Sequence, residues 1–185
     1  FTACSVQGPN LPSSFIDNDI NGIDYTIGTD TAINTALDAI DKIRDTATSM
    51  ERIFVVEVMG RDSGFIALTV ALAGGCEDVL IPEKEIDIEA VCHEIVHGNL
   101  IGKMSWIIVV AEGAGKAADI AEKITDMTGL ETRSVVLGHV QRGGRPTALS
   151  RDIALNLGKA AVDCLIAGKT DIALGLAGGR IVEVD

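Results

Sequence analysis

The amino-acid sequence predicts an α/β fold of three layers, in which helices cover both faces of a mostly parallel β-sheet. Unbroken apolar runs, typical of strands buried on both faces, alternate along the chain with segments of helical periodicity. Strands separated by helices need crossover connections, and such connections join parallel strands. Hydrophobic residues make up 47% of the chain but aromatic residues only 3%, so we expect a core of aliphatic side chains.

The first predicted element is an amphipathic helix. Apolar residues recur every three or four positions between residues 32 and 43, and Thr29, Asp30 or Thr31 could cap this helix. The continuous apolar run at residues 53–56, which ends in Val-Met-Gly at residues 58–60, predicts a buried strand. By the same criteria, the next elements are a helix over about residues 64–73, a short strand over residues 78–81 and a helix over residues 87–97.

The second half of the chain continues this alternation. Residues 106–111 predict a strand, and the helix predicted over residues 116–127 is stopped by Gly129. A strand over residues 132–137 and a long helix over about residues 149–167 follow, and two weaker strands lie near Ile172 and Ile181.

Polar or backbone-exposing residues come directly after the three best predicted strands, at residues 59–61, 112–113 and 138–139. The carboxyl ends of parallel strands meet at one edge of a sheet, and ligands of such folds bind there. We therefore expect these three segments to lie together at a binding site.

Charge and cysteine content narrow the range of partners. The net charge of −12 at pH 7 argues against binding to nucleic acids or anionic membranes, because both would repel a protein of this charge.

The cysteines, including Cys4, are scattered without a Cys-x-x-Cys pair, so we expect reduced thiols in a cytoplasmic protein. No apolar run of about 18 residues and no leader segment is visible. Because the first residue is Phe1, we expect the chain to be a fragment.

Asp17 and Asp19 are separated by one residue, between turn-forming segments. One carboxylate can accept the proton of a substrate hydroxyl while the other holds a divalent cation, a division of labour that phosphoryl transfer requires. Guanidinium groups suit phosphate oxygens. In a chain with 15 basic residues, a bound phosphate is favoured by four arginines that flank strand ends or glycine turns: Arg52, Arg61, Arg133 and Arg142.

Other motifs suggest different functions. His93, Glu94 and His97 fit the H-E-x-x-H helix of zinc proteases. However, these histidines lie opposite the apolar face of the predicted helix, and no third histidine follows at the spacing of the longer signatures, so an exposed pair is favoured. Residues 17–22 match the first half of an EF-hand loop, but its twelfth position is Gly28 instead of Glu. Residues 113–118 resemble a dinucleotide-binding fingerprint, although an ordinary strand-to-helix turn is favoured.

Four further motifs stand in a fixed order: Ile-Asp-Asn-Asp at residues 16–19, Val-Val-Glu-Val-Met-Gly-Arg at 55–61, Ala-Gly-Gly-Cys-Glu at 73–77, and Gly-His-Val-Gln-Arg-Gly-Gly at 138–144. Together they closely resemble the bacterial ATP-dependent 6-phosphofructokinase family, from about residue 16 to the end. The resemblance implies a phosphofructokinase-like fold and transfer of the γ-phosphoryl group of ATP to the 1-hydroxyl of fructose 6-phosphate, with Mg²⁺. It also implies a cytoplasmic, glycolytic homotetramer with allosteric control.

The same resemblance implies roles for single residues. Asp17 matches the general base, Asp19 a magnesium carboxylate, and Arg61 an arginine that steadies the transferred phosphoryl group. The matched contacts of fructose 6-phosphate are Met59, Gly60, Glu112, His139 and Arg142, with Arg52 and Arg133 reaching it from a neighbouring subunit. The matched effector-site residues are Arg44, Glu77 and Lys103, while Ile101 stands where a basic residue is common.

Departures from the family pattern lie near the start of the chain. The nucleotide-binding glycine loops of the family precede the aspartate pair and are not part of this sequence. Phe15 stands in place of a Thr or Ser, whereas Ser14 favours ATP because pyrophosphate-using relatives commonly have Lys there. The implied domains are residues 1–28 and 141–185 as pieces of a nucleotide domain, and residues 29–140 as the sugar-phosphate domain. An alternative is a non-catalytic, sugar-phosphate-binding regulatory domain, which would not need Asp17 as a base.

Overall fold

The structure is a computed structural model that describes residues 16–170 and 172–184. The expectations for Cys4, Ser14 and Phe15 concern residues outside these ranges. In chain order the elements are α1 (Thr29–Met50), β1 (Ile53–Val58), α2 (Phe65–Gly74), β2 (Asp78–Leu80), α3 (Ile88–Leu100), β3 (Trp106–Ala111), α4 (Ala117–Thr128), β4 (Thr132–Val136), a 3-10 helix (Gly138–Arg142), α5 (Ala148–Ile166), β5 (Ala173–Ala177) and β6 (Arg180–Val184). The helices and strands expected from the sequence are present, and the 3-10 helix was not predicted.

A parallel sheet with strand order β2-β3-β1-β4 forms the centre of the fold. Helices α1 and α2 pack on one face of this sheet, against Val56 and Val109 among others, while α3 and α4 pack on the opposite face, against Val55 and Ile108. Both faces are covered, so successive residues of β3, and of β1 except Glu57, are apolar. Each fully buried Val or Ile contributes about 1.5–3 kcal/mol. The predicted three-layer α/β fold is confirmed.

The start of α1 differs from the prediction. Gly28, with φ of 100°, occupies the N-cap position, and the helix begins at Thr29 without a side-chain cap. The predicted capping residues bond elsewhere: Thr29 Oγ1 donates to the carbonyl of Ile16, and Thr31 Oγ1 donates to Ser150 Oγ. Asp30 accepts a hydrogen bond from Thr147. These tertiary contacts tie the start of α1 to the loop before it and to α5.

A second, smaller core lies beside the main sheet. Strands β5 and β6 form an antiparallel hairpin. Helix α5 packs against this hairpin, with Leu157 of α5 and Leu174 of β5 in the shared core. Tyr25 forms an isolated bridge with Leu176 of β5, which attaches the segment before α1 to this hairpin. The loop that contains Asp17 and Asp19 is therefore held between the two cores.

The cysteines of the described region are free thiols. Burial raises the pKa of Cys76 to about 11, and it also raises the pKa of Cys92. Both thiols are therefore poor nucleophiles at neutral pH. Within the described residues, no helix combines the length and apolar character that crossing a membrane requires.

Candidate active site

Three segments that follow β1, β3 and β4 meet at the carboxyl edge of the sheet, as expected. Glu112, directly after β3, accepts hydrogen bonds through Oε1 from the backbone N–H groups of Gly60 (3.2 Å) and Arg61 (2.7 Å). Gln141, in the 3-10 helix after β4, accepts a hydrogen bond through Oε1 from the backbone N–H of Met59 (2.9 Å). Hydrogen bonds from the segments that follow β3 and β4 thus hold the turn after β1 in place.

The conformation of this turn is unusual. Arg61 has φ of 51° and Gly60 has φ of 153°, and the left-handed conformation costs a residue with a side chain about 1–2 kcal/mol. The Ser63 N–H closes the turn with a hydrogen bond to the Gly60 carbonyl (2.8 Å). Gly113 approaches so closely that a Cβ atom on it would lie 2.1 Å from the carbonyl oxygen of Arg61. Contacts from neighbouring loops offset the strain.

Asn18 lies between the two aspartates, and its backbone conformation makes their side chains point in different directions. It adopts a left-handed conformation with φ of 54°, which Asn tolerates better than most residues. Its side chain donates to the carbonyl of Asp24 (3.0 Å) and accepts from the N–H of Thr26 (2.8 Å). The resulting bend turns Asp17 into the protein and leaves Asp19 exposed.

Asp17 is a buried carboxylate, only 1% exposed. Neither of its carboxylate oxygens has a hydrogen-bond partner among the described residues. Arg61 Nε lies 3.9 Å from Asp17 Oδ2. Burial raises the pKa of Asp17, and the nearby charges of Arg142 and Arg61 oppose part of this rise. A carboxylate in these surroundings is suited to accept a proton.

The four arginines of the sequence analysis fall into two pairs. The positive charges of Arg61 and Arg142 lie near Asp17 and lower its pKa. The other pair lies near the amino ends of the strands: Arg52 precedes β1, and Arg133 lies opposite Phe54 near the start of β4. Arg52 Nε donates to Glu131 Oε2 (3.0 Å), and Arg133 pairs with the same carboxylate. Because β1 has six residues, the amino and carboxyl ends of this strand lie about 20 Å apart. One chain therefore does not bring these four arginines together.

The three matched effector residues lie around the C-terminal end of α2. Arg44 donates to the carbonyls of Gly74 and Gly75. Glu77 forms an ion pair with Lys103 (3.1 Å) and accepts from the N–H of Ile107 (2.7 Å). These residues lie toward the amino ends of β2 and β3, away from Asp17.

His93 and His97 are exposed on α3, opposite its buried residues Val91 and Ile95. Among the described residues, no cluster of three or more His, Cys, Asp or Glu side chains is arranged to hold a metal ion. Within the part of the chain that the structure describes, the geometry therefore offers no third protein ligand to the H-E-x-x-H pair.

Replacing His93 and His97 together by alanine is expected to change the free energy of unfolding by less than about 0.5 kcal/mol, because both side chains are exposed. Urea denaturation measures this change. Ile95→Ala, on the buried side of the same helix, is the positive control and is expected to cost about 2–5 kcal/mol. Stoichiometric zinc that disappears in the double variant would contradict the expectation and favour a metalloprotease.

Gln141 is only 1% exposed, and no role was predicted for it from the sequence. Its place within the motif at residues 138–144 was the available signal. Its contact with Met59 depends on the 3-10 helix, which the sequence pattern did not predict.

Comparisons with known proteins agree on one family. The phosphofructokinase family model matches residues 9–165. The ATP-dependent 6-phosphofructokinase of Clostridium acetobutylicum is 51% identical over 180 residues, which are 97% of this chain and 56% of that protein. The ATP-dependent 6-phosphofructokinase of Clostridium botulinum strain Hall is 51% identical over 175 residues, 95% of this chain and 54% of that protein. This chain thus spans about half the length of these curated relatives.

Solved structures of phosphofructokinases are also similar. The structure from Saccharomyces cerevisiae has a TM-score of 0.85 at 35% identity and covers 91% of this chain and 24% of that one. The T-state structure from Pichia pastoris has a TM-score of 0.80 at 34% identity, with 91% of this chain and 21% of that chain covered. On the match of the family model and these relatives, the chain belongs to the phosphofructokinase family.

Proposed function

We propose that this chain is the part of an ATP-dependent 6-phosphofructokinase that carries the catalytic base and most of the sugar-phosphate site. The complete enzyme transfers the γ-phosphoryl group of ATP to the 1-hydroxyl of fructose 6-phosphate and yields fructose 1,6-bisphosphate, a glycolytic step in the cytoplasm. The observation that carries this proposal is the buried Asp17 carboxylate, which has no hydrogen-bond partner among the described residues and lies near two arginines. The names of the relatives support ATP as the donor.

In this proposal, Asp17 accepts the proton of the attacking hydroxyl as the new oxygen–phosphorus bond forms. Burial disfavours the ionised carboxylate and raises its pKa, so Asp17 is a stronger base than an exposed aspartate. Arg61 Nε is 3.9 Å from Asp17 Oδ2. Its guanidinium group therefore lies close to the reacting hydroxyl and would stabilise the negative charge of the transferred phosphoryl group.

Mg²⁺ is the proposed cofactor, and the residues present fit it. This ion usually takes one or two protein carboxylates and completes its octahedral shell with water and substrate phosphates. Asp19 offers an exposed carboxylate two residues from Asp17, which suits such partial coordination. Asp19 would hold the ion, and the bound ion would neutralise phosphate charge of ATP.

We place the fructose 6-phosphate site at the same edge of the sheet, with contacts from Met59, Gly60, Glu112, His139 and Arg142. His139 and Arg142 are exposed on the 3-10 helix, beside the turn that contains Met59 and Gly60. An imidazole and a guanidinium group in these places can bind the phosphate of the sugar.

Arg52 and Arg133 serve the site of a neighbouring subunit in this proposal. Both lie near the amino ends of the strands, whereas Asp17 lies near the turn that follows the carboxyl end of β1, and this separation supports a role outside their own chain. Both are already held by Glu131, so their guanidinium groups are oriented before a ligand arrives. The active enzyme is then a homo-oligomer, and we propose a homotetramer.

The proposed domains are a sugar-phosphate domain over residues 29–140 and pieces of a nucleotide domain over residues 1–28 and 141–185. The separate core around α5 and the β5–β6 hairpin supports a boundary near residue 140. Arg44, Glu77 and Lys103 are the proposed effector site, because two cations and a carboxylate gather there away from Asp17.

The test of the proposed function is an assay of the complete protein with ATP, Mg²⁺ and fructose 6-phosphate, with detection of fructose 1,6-bisphosphate by mass spectrometry. Product formation at a rate typical of enzymes, about 1–10³ per second, is expected. Tight binding of fructose 6-phosphate without product would instead favour the regulatory domain. Residues 1–185 alone are expected to give no product, because they span about half of the relatives.

Arg133→Ala in the complete enzyme is expected to raise KM for fructose 6-phosphate far more than it lowers kcat. Its proposed partner is the non-reacting phosphate, which is held equally before and during reaction. Loss of a charge-assisted contact costs about 1.5–3 kcal/mol, or roughly 10- to 150-fold.

Steady-state kinetics measure this effect, and Arg180→Ala is the matched control, since Arg180 is an exposed arginine of β6 without a proposed role. A fall of kcat at unchanged KM would contradict the assignment, because it would place Arg133 at the transferred group.

A further inference from the structure

Gln141 occupies a position where a polar side chain is unexpected. It lies in the 3-10 helix Gly138–Arg142 and is only 1% exposed, whereas its neighbour Val140 is 63% exposed. The apolar residue thus faces outward and the amide faces inward. A buried polar side chain needs a specific partner, because an unpaired one destabilises the fold.

The orientation of the Gln141 amide follows from its partner. The backbone N–H of Met59 can only donate, so the atom that faces it at 2.9 Å is the side-chain oxygen Oε1. The amide nitrogen Nε2 therefore points away from Met59. It is buried and has no hydrogen-bond partner among the described residues.

These contacts are unfavourable for stability when taken alone. Burying both ends of the amide while satisfying only one of them leaves an uncompensated donor. A methionine of similar length would fill the same space without that donor, but it would leave the Met59 N–H without an acceptor. We therefore attribute the presence of glutamine to the contact of Oε1 with the backbone N–H of Met59.

Met59 begins the turn that presents Arg61. The N–H groups of residues 59, 60 and 61 all donate to side chains, the first to Gln141 and the next two to Glu112. Glu112 follows β3 and Gln141 follows β4, so these contacts fix the turn relative to the strands on both sides of β1. Of these two side chains, Gln141 links the turn to the 3-10 helix that contains His139 and Arg142, whereas Glu112 does not.

We propose that Gln141 is a positioning residue, which holds the turn at residues 59–61 through Oε1 so that the Arg61 guanidinium stays beside Asp17. This inference rests on the proposed function. It assigns Gln141 no contact with substrate: its effect passes through Arg61, whose left-handed backbone (φ 51°) relaxes when the Met59 N–H loses its acceptor.

The test is a double-mutant cycle in the complete enzyme, with Q141M, R61A and the double variant. Q141M is expected to lower kcat by about 10- to 100-fold, with a smaller change in KM for fructose 6-phosphate. In the R61A background, Q141M is expected to lower kcat by less than about threefold, because the group that it positions is no longer present. Val140→Ala, on the exposed side of the same helix, is the control and is expected to leave kcat unchanged.

A stability measurement accompanies the cycle. Q141M is expected to change the melting temperature little, since it removes the unpaired Nε2 donor but leaves the buried Met59 N–H without its acceptor. Equal losses of kcat in both backgrounds, or a wild-type kcat in Q141M, would overturn the proposal. If Q141M does not fold, Gln141→Leu replaces it, and failure of both variants to fold would assign Gln141 a structural role and also overturn it. An inactive wild-type protein would refute the proposed function itself.

Discussion

Asp17→Ala in the complete enzyme is expected to lower kcat by about 10²- to 10⁴-fold, equivalent to roughly 3–5.5 kcal/mol of barrier. The change in KM for fructose 6-phosphate is expected to be much smaller. Proton acceptance matters only while the hydroxyl attacks, whereas the sugar phosphate is held by cationic side chains that remain in the variant. Steady-state kinetics over a range of both substrates measure the two effects separately.

The pH dependence of the wild-type enzyme follows from the surroundings of Asp17. Burial raises its pKa above the ordinary value of 3.8, against the opposing charges of Arg142 and Arg61. The base must be ionised to accept a proton, so kcat is expected to fall as pH decreases through this raised pKa. Asp17→Ala is expected to remove that acidic limb, because its residual rate no longer depends on the carboxylate.

Asp19→Ala is the matched control, since it removes a carboxylate two residues away that faces solvent. Its proposed role is to hold Mg²⁺, so its defect is expected to lessen as the magnesium concentration rises. The defect of Asp17→Ala is expected to be insensitive to magnesium. A near-wild-type kcat in Asp17→Ala would contradict the catalytic assignment and would make the regulatory domain the better interpretation.

The centre of the main sheet could be predicted from the sequence because β3 is apolar at every position and β1 at every position except Glu57. Helices cover both faces, so residues of either parity in β3 are buried and the run from Trp106 to Ala111 is unbroken. The end of α4 could also be predicted from the sequence, because Gly129 ends this helix in a left-handed conformation with φ of 72°. In both cases the local pattern and the tertiary packing favour the same structure.

The details of the site were less predictable, since they depend on contacts between distant residues. The first turn of α1 was misread because Thr29 and Thr31 bond to residues outside their helix. The left-handed conformation of Arg61 has no local signal, as it is imposed by Glu112 and Gln141. The carboxyl edge was predicted correctly, because parallel topology alone brings those segments together.

Gly113→Ala is expected to disrupt the same turn by a steric route. A Cβ atom on Gly113 would lie 2.1 Å from the carbonyl oxygen of Arg61 and 3.4 Å from Cα of Asp62. The first distance is far below van der Waals contact, and the atom that it meets belongs to the backbone, so the turn itself must move. Overpacking of this kind costs about 1–3 kcal/mol.

The activity of Gly113→Ala is expected to fall further than its stability suggests. The backbone of Arg61 must move by about 1 Å to relieve the contact, and a displacement of that size at a catalytic group costs on the order of 10²-fold in kcat. Melting temperature and kcat are measured on the same preparation of complete enzyme. The matched control is Gly158→Ala in α5, where a Cβ atom would meet no heavy atom within 4 Å and alanine is expected to stabilise the helix by about 0.4–1 kcal/mol. A Gly113→Ala enzyme with wild-type kcat would show that the position of the Arg61 backbone does not limit the reaction, and it would remove the geometric basis for assigning Arg61 to the transferred phosphoryl group.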